Sequence, residues 1–197
     1  MKAFLRKIRK YIKITGVTGI ARRYFVINSF DGVMVILSLL LSSLIFEFRE
    51  IHFILQASLS AMIATCLSGV FGAYFSEKAE REEKVKMLER SMLKKLGKTL
   101  IGKAERFAVV YIAFIDGFSP LLLSSIAIIP LIICSMGLME LRIALLSSTC
   151  VAFAEIFFLG MFLGKIARKN PIIEGLKVMS IGIILSLILA LLEKLVF

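Results

Sequence analysis

The sequence has no tryptophan, one histidine, three cysteines and three prolines, and only 14 acidic residues against 25 lysines and arginines. Each shortage removes a class of function. The single histidine, His52, sits at the edge of an apolar stretch, which argues against an imidazole-rich zinc site and against a Ser-His-Asp triad. Cys66, Cys134 and Cys150 fall on separate apolar stretches without paired spacing, so a disulfide scaffold is excluded and all three read as small apolar residues. No His-Glu-x-x-His, nucleophile elbow or phosphate-binding glycine loop is present, and no enzymatic activity is expected. Charge is also scarce, at 20% of residues against 59% hydrophobic and a mean hydropathy of +0.92. Soluble globular chains average about half apolar and about a quarter charged, with the charge spread out. Here the charges are bunched and long intervals lack them, which excludes disorder and a collagenous repeat and makes a soluble catalyst or nucleic-acid binder a poor fit.

The uncharged intervals match the ~20 residues a helix needs to cross a hydrocarbon core of ~30 Å. Tyr24 to Phe46 is 23 residues long with Asp31 as its one ionisable group. His52 to Phe75 makes a second interval, and Phe107 to Met139 a third of 33 residues, interrupted only by Asp116. The third is long enough to predict a broken or tilted helix, with Pro120 and Pro130 as kink sites. Ile143 to Leu163 contains Glu155, and Val178 to Phe197 closes the chain with Glu193 and Lys194 near its end. The expectation is an all-α integral membrane protein of five transmembrane helices in the cell membrane.

Of the 25 basic residues, 22 fall in residues 1–23, 76–106 and 165–177. By the excess of lysine and arginine on cytoplasmic loops, the amino terminus is expected in the cytoplasm and the carboxyl terminus outside. The net charge of +11 is then mostly topology, needs no nucleic acid to explain it, and favours contact with the lipid bilayer. No cleavable signal peptide is expected, because the first residues are charged and the apolar run begins late. The chain divides into an amphipathic amino-terminal segment (1–23), helices 1 and 2 (24–75), a cytoplasmic helical insert (76–106) and helices 3 to 5 (107–197). In the first segment Phe4, Leu5, Ile8, Tyr11 and Ile12 recur at helical spacing among basic residues, as in a helix lying on a membrane, and Thr15 to Gly19 breaks it. In the insert Val85, Leu88, Met92, Leu96 and Leu100 form one stripe, with glutamates clustered in its first half, which predicts that the second helix runs on into the cytoplasm and then folds over the membrane. Those glutamates read either as a solvated face with glutamate–lysine pairs or as an ion-collecting surface.

Three acids interrupt the spans. An ionisable side chain in hydrocarbon costs ~2.5–3.5 kcal/mol on insertion scales, so each needs a reason. Asp31 lies eight residues after Arg23, Asp116 ten after Arg106 and Glu155 ten before Lys165. At 1.5 Å per residue all three sit ~12–15 Å from the basic side, near mid-membrane. They read either as neutral acids hydrogen-bonded in helix packing or as a proton-coupled cation pathway, and their common depth favours the pathway. Phe30-Asp31-Gly32 precedes Leu39-Leu40-Leu41-Ser42-Ser43, and Ile115-Asp116-Gly117 precedes Leu121-Leu122-Leu123-Ser124-Ser125, a weak repeat on two parallel spans. The glycine after each aspartate allows close approach by a backbone or an ion. Gly160 and Gly164 form a small-xxx-small face suited to helix packing.

Three motifs carry a resemblance. Arg23-Tyr24-Phe25-Val26 leads to Asp31-Gly32, Gly72-Ala73-Tyr74-Phe75-Ser76 is followed by Arg81-Glu82, and Gly175-Leu176-Lys177-Val178-Met179-Ser180-Ile181-Gly182 opens the last span. In this order, on five spans with an acidic helical insert, they resemble the vacuolar iron transporter family of ferrous-iron and manganese carriers. The resemblance implies a homodimer exporting Fe²⁺ or Mn²⁺ from the cytoplasm by proton antiport, with Asp31 on the path. It further implies that insert glutamates, here Glu80, Glu82, Glu83 and Glu89, capture the metal. The chain departs from the family at Ala73, where glutamate is usual, and at Gly69, where methionine is frequent.

Taken together, these features predict a divalent-cation exporter whose pathway includes Asp31, Gly32, Asp116, Gly117 and Glu155, with Asp31, Asp116 and Glu155 as metal ligands and no resident cofactor. Carboxylate oxygens suit Mn²⁺ or Fe²⁺ better than copper or zinc. The alternatives are a different cation, or a scaffold on the same fold that moves none.

Overall fold

A computed structural model describes residues 2–196, which form seven α-helices. They are α1 (Lys2–Thr15), α2 (Val17–Ile45), α3 (Ile51–Met92), α4 (Leu100–Ala127), α5 (Ile129–Ser135), α6 (Leu141–Ile166) and α7 (Pro171–Val196). Five of these, α2, α3, α4, α6 and α7, are long and apolar enough to cross a bilayer, and the chain is a multi-pass integral membrane protein.

Where the helices stop follows from local chemistry. Gly16, at φ +62°, separates α1 from α2, so the expected break narrows to one residue that tolerates the left-handed region. The long third interval is broken, as its length predicts. α4 ends at Ala127, Ile128 turns, and Pro130 sits in the first turn of α5, where its missing N–H has no partner to lose. Pro120, the other expected kink site, stays inside α4. The segment 76–106 begins as a continuation of the second spanning helix, as expected. It consists of the end of α3, the connection 93–99 and the first turns of α4.

The chain folds as two compact units, one of Met1–Asn28 with Cys66–Phe118 and the other of Ser29–Thr65 with Ser119–Phe197. The first unit is centred on Val17, Ala21, Ala73, Ala108, Ile112 and Ala113, mostly small side chains that let helices approach closely. Such packing matters in lipid, where apolar burial no longer drives helix association and van der Waals contact takes its place. The apolar stripe of α1 is used here too, with Tyr11 buried against Phe107 at a ring separation of 5.6 Å. The basic residues Arg6, Lys7, Arg9, Lys10 and Lys13 are exposed, while Phe4 and Leu5 lie outside the described side chains.

In the second unit Val33, Ile36, Leu37 and Leu40 present one face of α2 to a core completed by Ile54, Ile128, Leu131 and Ile156. α6 packs on α5 and α7. The α6–α7 contact runs through the expected small-xxx-small face, where a Cβ on Gly160 would lie 2.8 Å from the Gly175 Cα and one on Gly164 would lie 2.9 Å from the Pro171 Cα. Most of α7 is otherwise exposed and apolar, the surface of a helix that faces lipid.

Candidate functional site

The buried face of α6 repeats at 144, 148, 152, 155 and 159, a helical stripe of Ala144, Ser148, Ala152, Glu155 and Leu159. Glu155 is 8% exposed, and among the described residues neither of its carboxylate oxygens has a hydrogen-bond partner. Ser148, two turns away on the same stripe, is fully buried and its hydroxyl also lacks a partner. Buried polar atoms are almost always satisfied, and leaving one unsatisfied costs ~1–3 kcal/mol. An enclosed carboxyl with no donor in mid-span is therefore retained against a stability cost.

Asp31 lies on α2 in the same unit and is exposed. The glycine beside it is closed off, because a Cβ on Gly32 would meet the Pro120 Cβ at 2.5 Å and the Ser124 Oγ at 3.0 Å. Ser124 is fully buried and its hydroxyl has no partner among the described residues.

Asp116 belongs to the other unit and is 3% exposed. Gly117 makes the crossing of α4 with α3. A Cβ there would lie 2.1 Å from the Val70 Cγ2 and 2.7 Å from the Cys66 carbonyl oxygen, and one on Gly69 would lie 3.0 Å from the Gly117 Cα. Both glycines after aspartate thus serve close helix approach. Gly117→Ala should destabilise the protein by ~1–3 kcal/mol, the range for overpacking, read as a lower midpoint of thermal unfolding in detergent. Adding Val70→Ala should restore part of the loss, since it removes the nearest atom and leaves the Cys66 carbonyl.

At the basic end of the same unit lies a network the sequence does not announce. The Arg81 Nε donates to Glu77 Oε2 at 2.8 Å, its Nη1 donates to Glu105 Oε2, and Lys84 Nζ donates to Glu105 Oε1 at 2.8 Å. Glu77, Arg81 and Glu105 are each at most 6% exposed, so two carboxylates and a guanidinium are buried together. The Glu77–Arg81 spacing of four residues is a visible signal. Glu105, 24 residues further on, is joined to Arg81 only by the fold.

Of the expected metal-capturing glutamates, Glu80, Glu82 and Glu83 are exposed on α3. Glu89 is half-buried and accepts from the backbone N–H groups of Leu96 and Gly97 at 2.6 and 3.2 Å, holding the connection to α4. Among the described residues no three His, Cys, Asp or Glu side chains come together in a group that could hold a metal ion. The two departures at 69 and 73 have a packing explanation. Gly69 packs tightly on the Gly117 backbone, and Ala73, 3% exposed, sits in the small-residue core where a glutamate would be buried among alanines and Ile112.

These features define a helical membrane protein with carboxylates buried in mid-helix and a buried carboxylate–arginine network. The chain belongs to the same family as the uncharacterized protein MJ0645 of Methanocaldococcus jannaschii, with which it is 30% identical over 184 residues, 92% of each chain. No family model and no solved structure matches it.

Proposed function

We propose that this protein carries a divalent transition-metal cation, Fe²⁺ or Mn²⁺, out of the cytoplasm in exchange for protons, past carboxylates held at mid-membrane depth. The observation that carries the reading is Glu155, enclosed on the buried face of a spanning helix with both oxygens unpartnered. A carboxyl in that setting either holds a proton or holds a cation, which is the alternation an antiporter needs. Asp31, in the same unit as Glu155, offers further oxygen donors, and oxygen donors suit Mn²⁺. The distribution of basic residues supports a cytoplasmic amino terminus and an outward carboxyl terminus.

A homodimer is part of the proposal. Asp31 is exposed on the single chain at a depth where lipid contact costs ~2.5–3.5 kcal/mol, so a second copy or the transport path covers it. Asp31→Asn and Glu155→Gln should each abolish metal efflux from loaded cells while the protein still accumulates in the membrane. Unchanged efflux in both variants would overturn the mechanism. The scaffold reading, favoured by Gly69 and Ala73 standing where the resembling family has other residues, predicts instead that neither Mn²⁺ nor Fe²⁺ raises the unfolding temperature of the purified protein.

A further inference from the structure

A cavity of about 430 Å³ opens on the first unit between the end of α3 and the start of α4. Its lining changes character along its length. Tyr74, Val109 and Val110 lie inside the apolar intervals that end at Phe75 and begin at Phe107, whereas Lys78, Lys86 and Arg106 lie beyond them. Val110 and Phe75 are 59% and 63% exposed, as lipid-facing side chains are.

The charge left available in this groove is positive. Glu105 is bound by Arg81 and Lys84, and Glu89 by the N–H groups of Leu96 and Gly97. The N–H bonds leave the Glu89 charge in place, so Glu82 and Glu89 stand against Lys78, Lys86 and Arg106, and the lining keeps a net positive charge. Two of those cations are steadied from below. The Lys78 Nζ sits 5.9 Å from the centroid of the Tyr74 ring, and the Arg106 Nη2 donates to the Gly97 carbonyl at 3.3 Å, which leaves other donors of its fork available. The outer wall is firm, because a Cβ on Gly102 would lie 2.5 Å from the Leu96 carbonyl oxygen.

We infer that this groove binds one anionic phospholipid, its phosphate on Lys78 and Arg106 and an acyl chain along Val109 and Val110. Depth separates the three cations. The headgroup layer is ~5–7 Å thick on each side, and Lys78, three residues past Phe75, stands ~4.5 Å beyond the hydrocarbon edge. Arg106 directly precedes Phe107. Lys86, eleven residues past Phe75, stands ~16 Å out, beyond the phosphates. Lys86 is therefore a charge-matched internal control.

The test uses the purified full chain exposed to equal amounts of phosphatidylglycerol and phosphatidylcholine, with retained lipid read by native mass spectrometry. Phosphatidylglycerol should be retained over phosphatidylcholine by about fivefold or more. Lys78→Gln and Arg106→Gln should each remove the preference, and Lys86→Gln should keep it. Arg106→Lys, which keeps the charge, should recover part of it and separate loss of phosphate contact from loss of the Gly97 bond. Inorganic phosphate in large excess should leave retention unchanged. An absent preference in the parent protein, or equal loss on Lys86→Gln, overturns the site in favour of diffuse attraction. Displacement by inorganic phosphate overturns the lipid as its occupant.

Discussion

Arg81→Met should destabilise the protein by about 3–5 kcal/mol, the cost of removing one partner from a buried ion network. The size follows from what stays behind. Glu77 and Glu105 would remain at 3% and 4% exposure with only Lys84 to answer them, and Lys84 reaches Glu105 alone. Burial of an uncompensated carboxylate is what makes the loss large, since the pairs themselves contribute little net stability. The double variant Arg81→Met with Glu77→Leu restores charge balance by leaving the Glu105–Lys84 pair intact, and should recover most of the loss. Thermal unfolding of the detergent-purified variants measures both. If the single and the double variant fall equally, the network acts through packing of the arginine stem and not through charge.

Glu155 gives a prediction of opposite sign for stability. Glu155→Met removes two buried oxygens that have no partner and keeps an unbranched side chain in a closed space, so the protein should gain about 1–3 kcal/mol. The same change should abolish transport. Glu155→Gln, which keeps the shape and loses the titrating group, should abolish transport as well, a larger loss than the about tenfold to hundredfold that follows removal of an outer partner of a metal site. A residue whose removal stabilises the fold and ends the activity is held for function. Lower stability in Glu155→Met would instead make it an ordinary packing position.

The spans were legible because bilayer thickness imposes a length on every apolar interval, and five intervals became five helices. The break in the third was legible from its length and from Pro130, and the α6–α7 contact from Gly160 and Gly164. The run of the second span into the basic segment was legible from the stripe Val85, Leu88 and Met92, because charge marks the end of the hydrocarbon and not the end of a helix. α3 runs on through Glu77 to Met92 without a cap or a break. The role of the glycine after each aspartate was open between a backbone and an ion, and atoms of Pro120, Cys66 and Val70 fill those places. The Arg81–Glu105 bond joins residues 24 apart on two helices, a register that no local periodicity encodes. Depth along the membrane could be counted from the sequence, which made Asp31, Asp116 and Glu155 comparable. Which of them is enclosed depends on helix rotation, and the structure answers that with Asp116 and Glu155 buried and Asp31 exposed.

Reconstitution into sealed proteoliposomes carrying an internal pH dye tests cation–proton exchange most directly. Addition of Mn²⁺ or Fe²⁺ on one side should move metal across and shift the internal pH in the opposite proton sense, with both signals lost in Glu155→Gln. Metal flux no greater than in protein-free vesicles, or proton movement that does not depend on metal, would contradict the account.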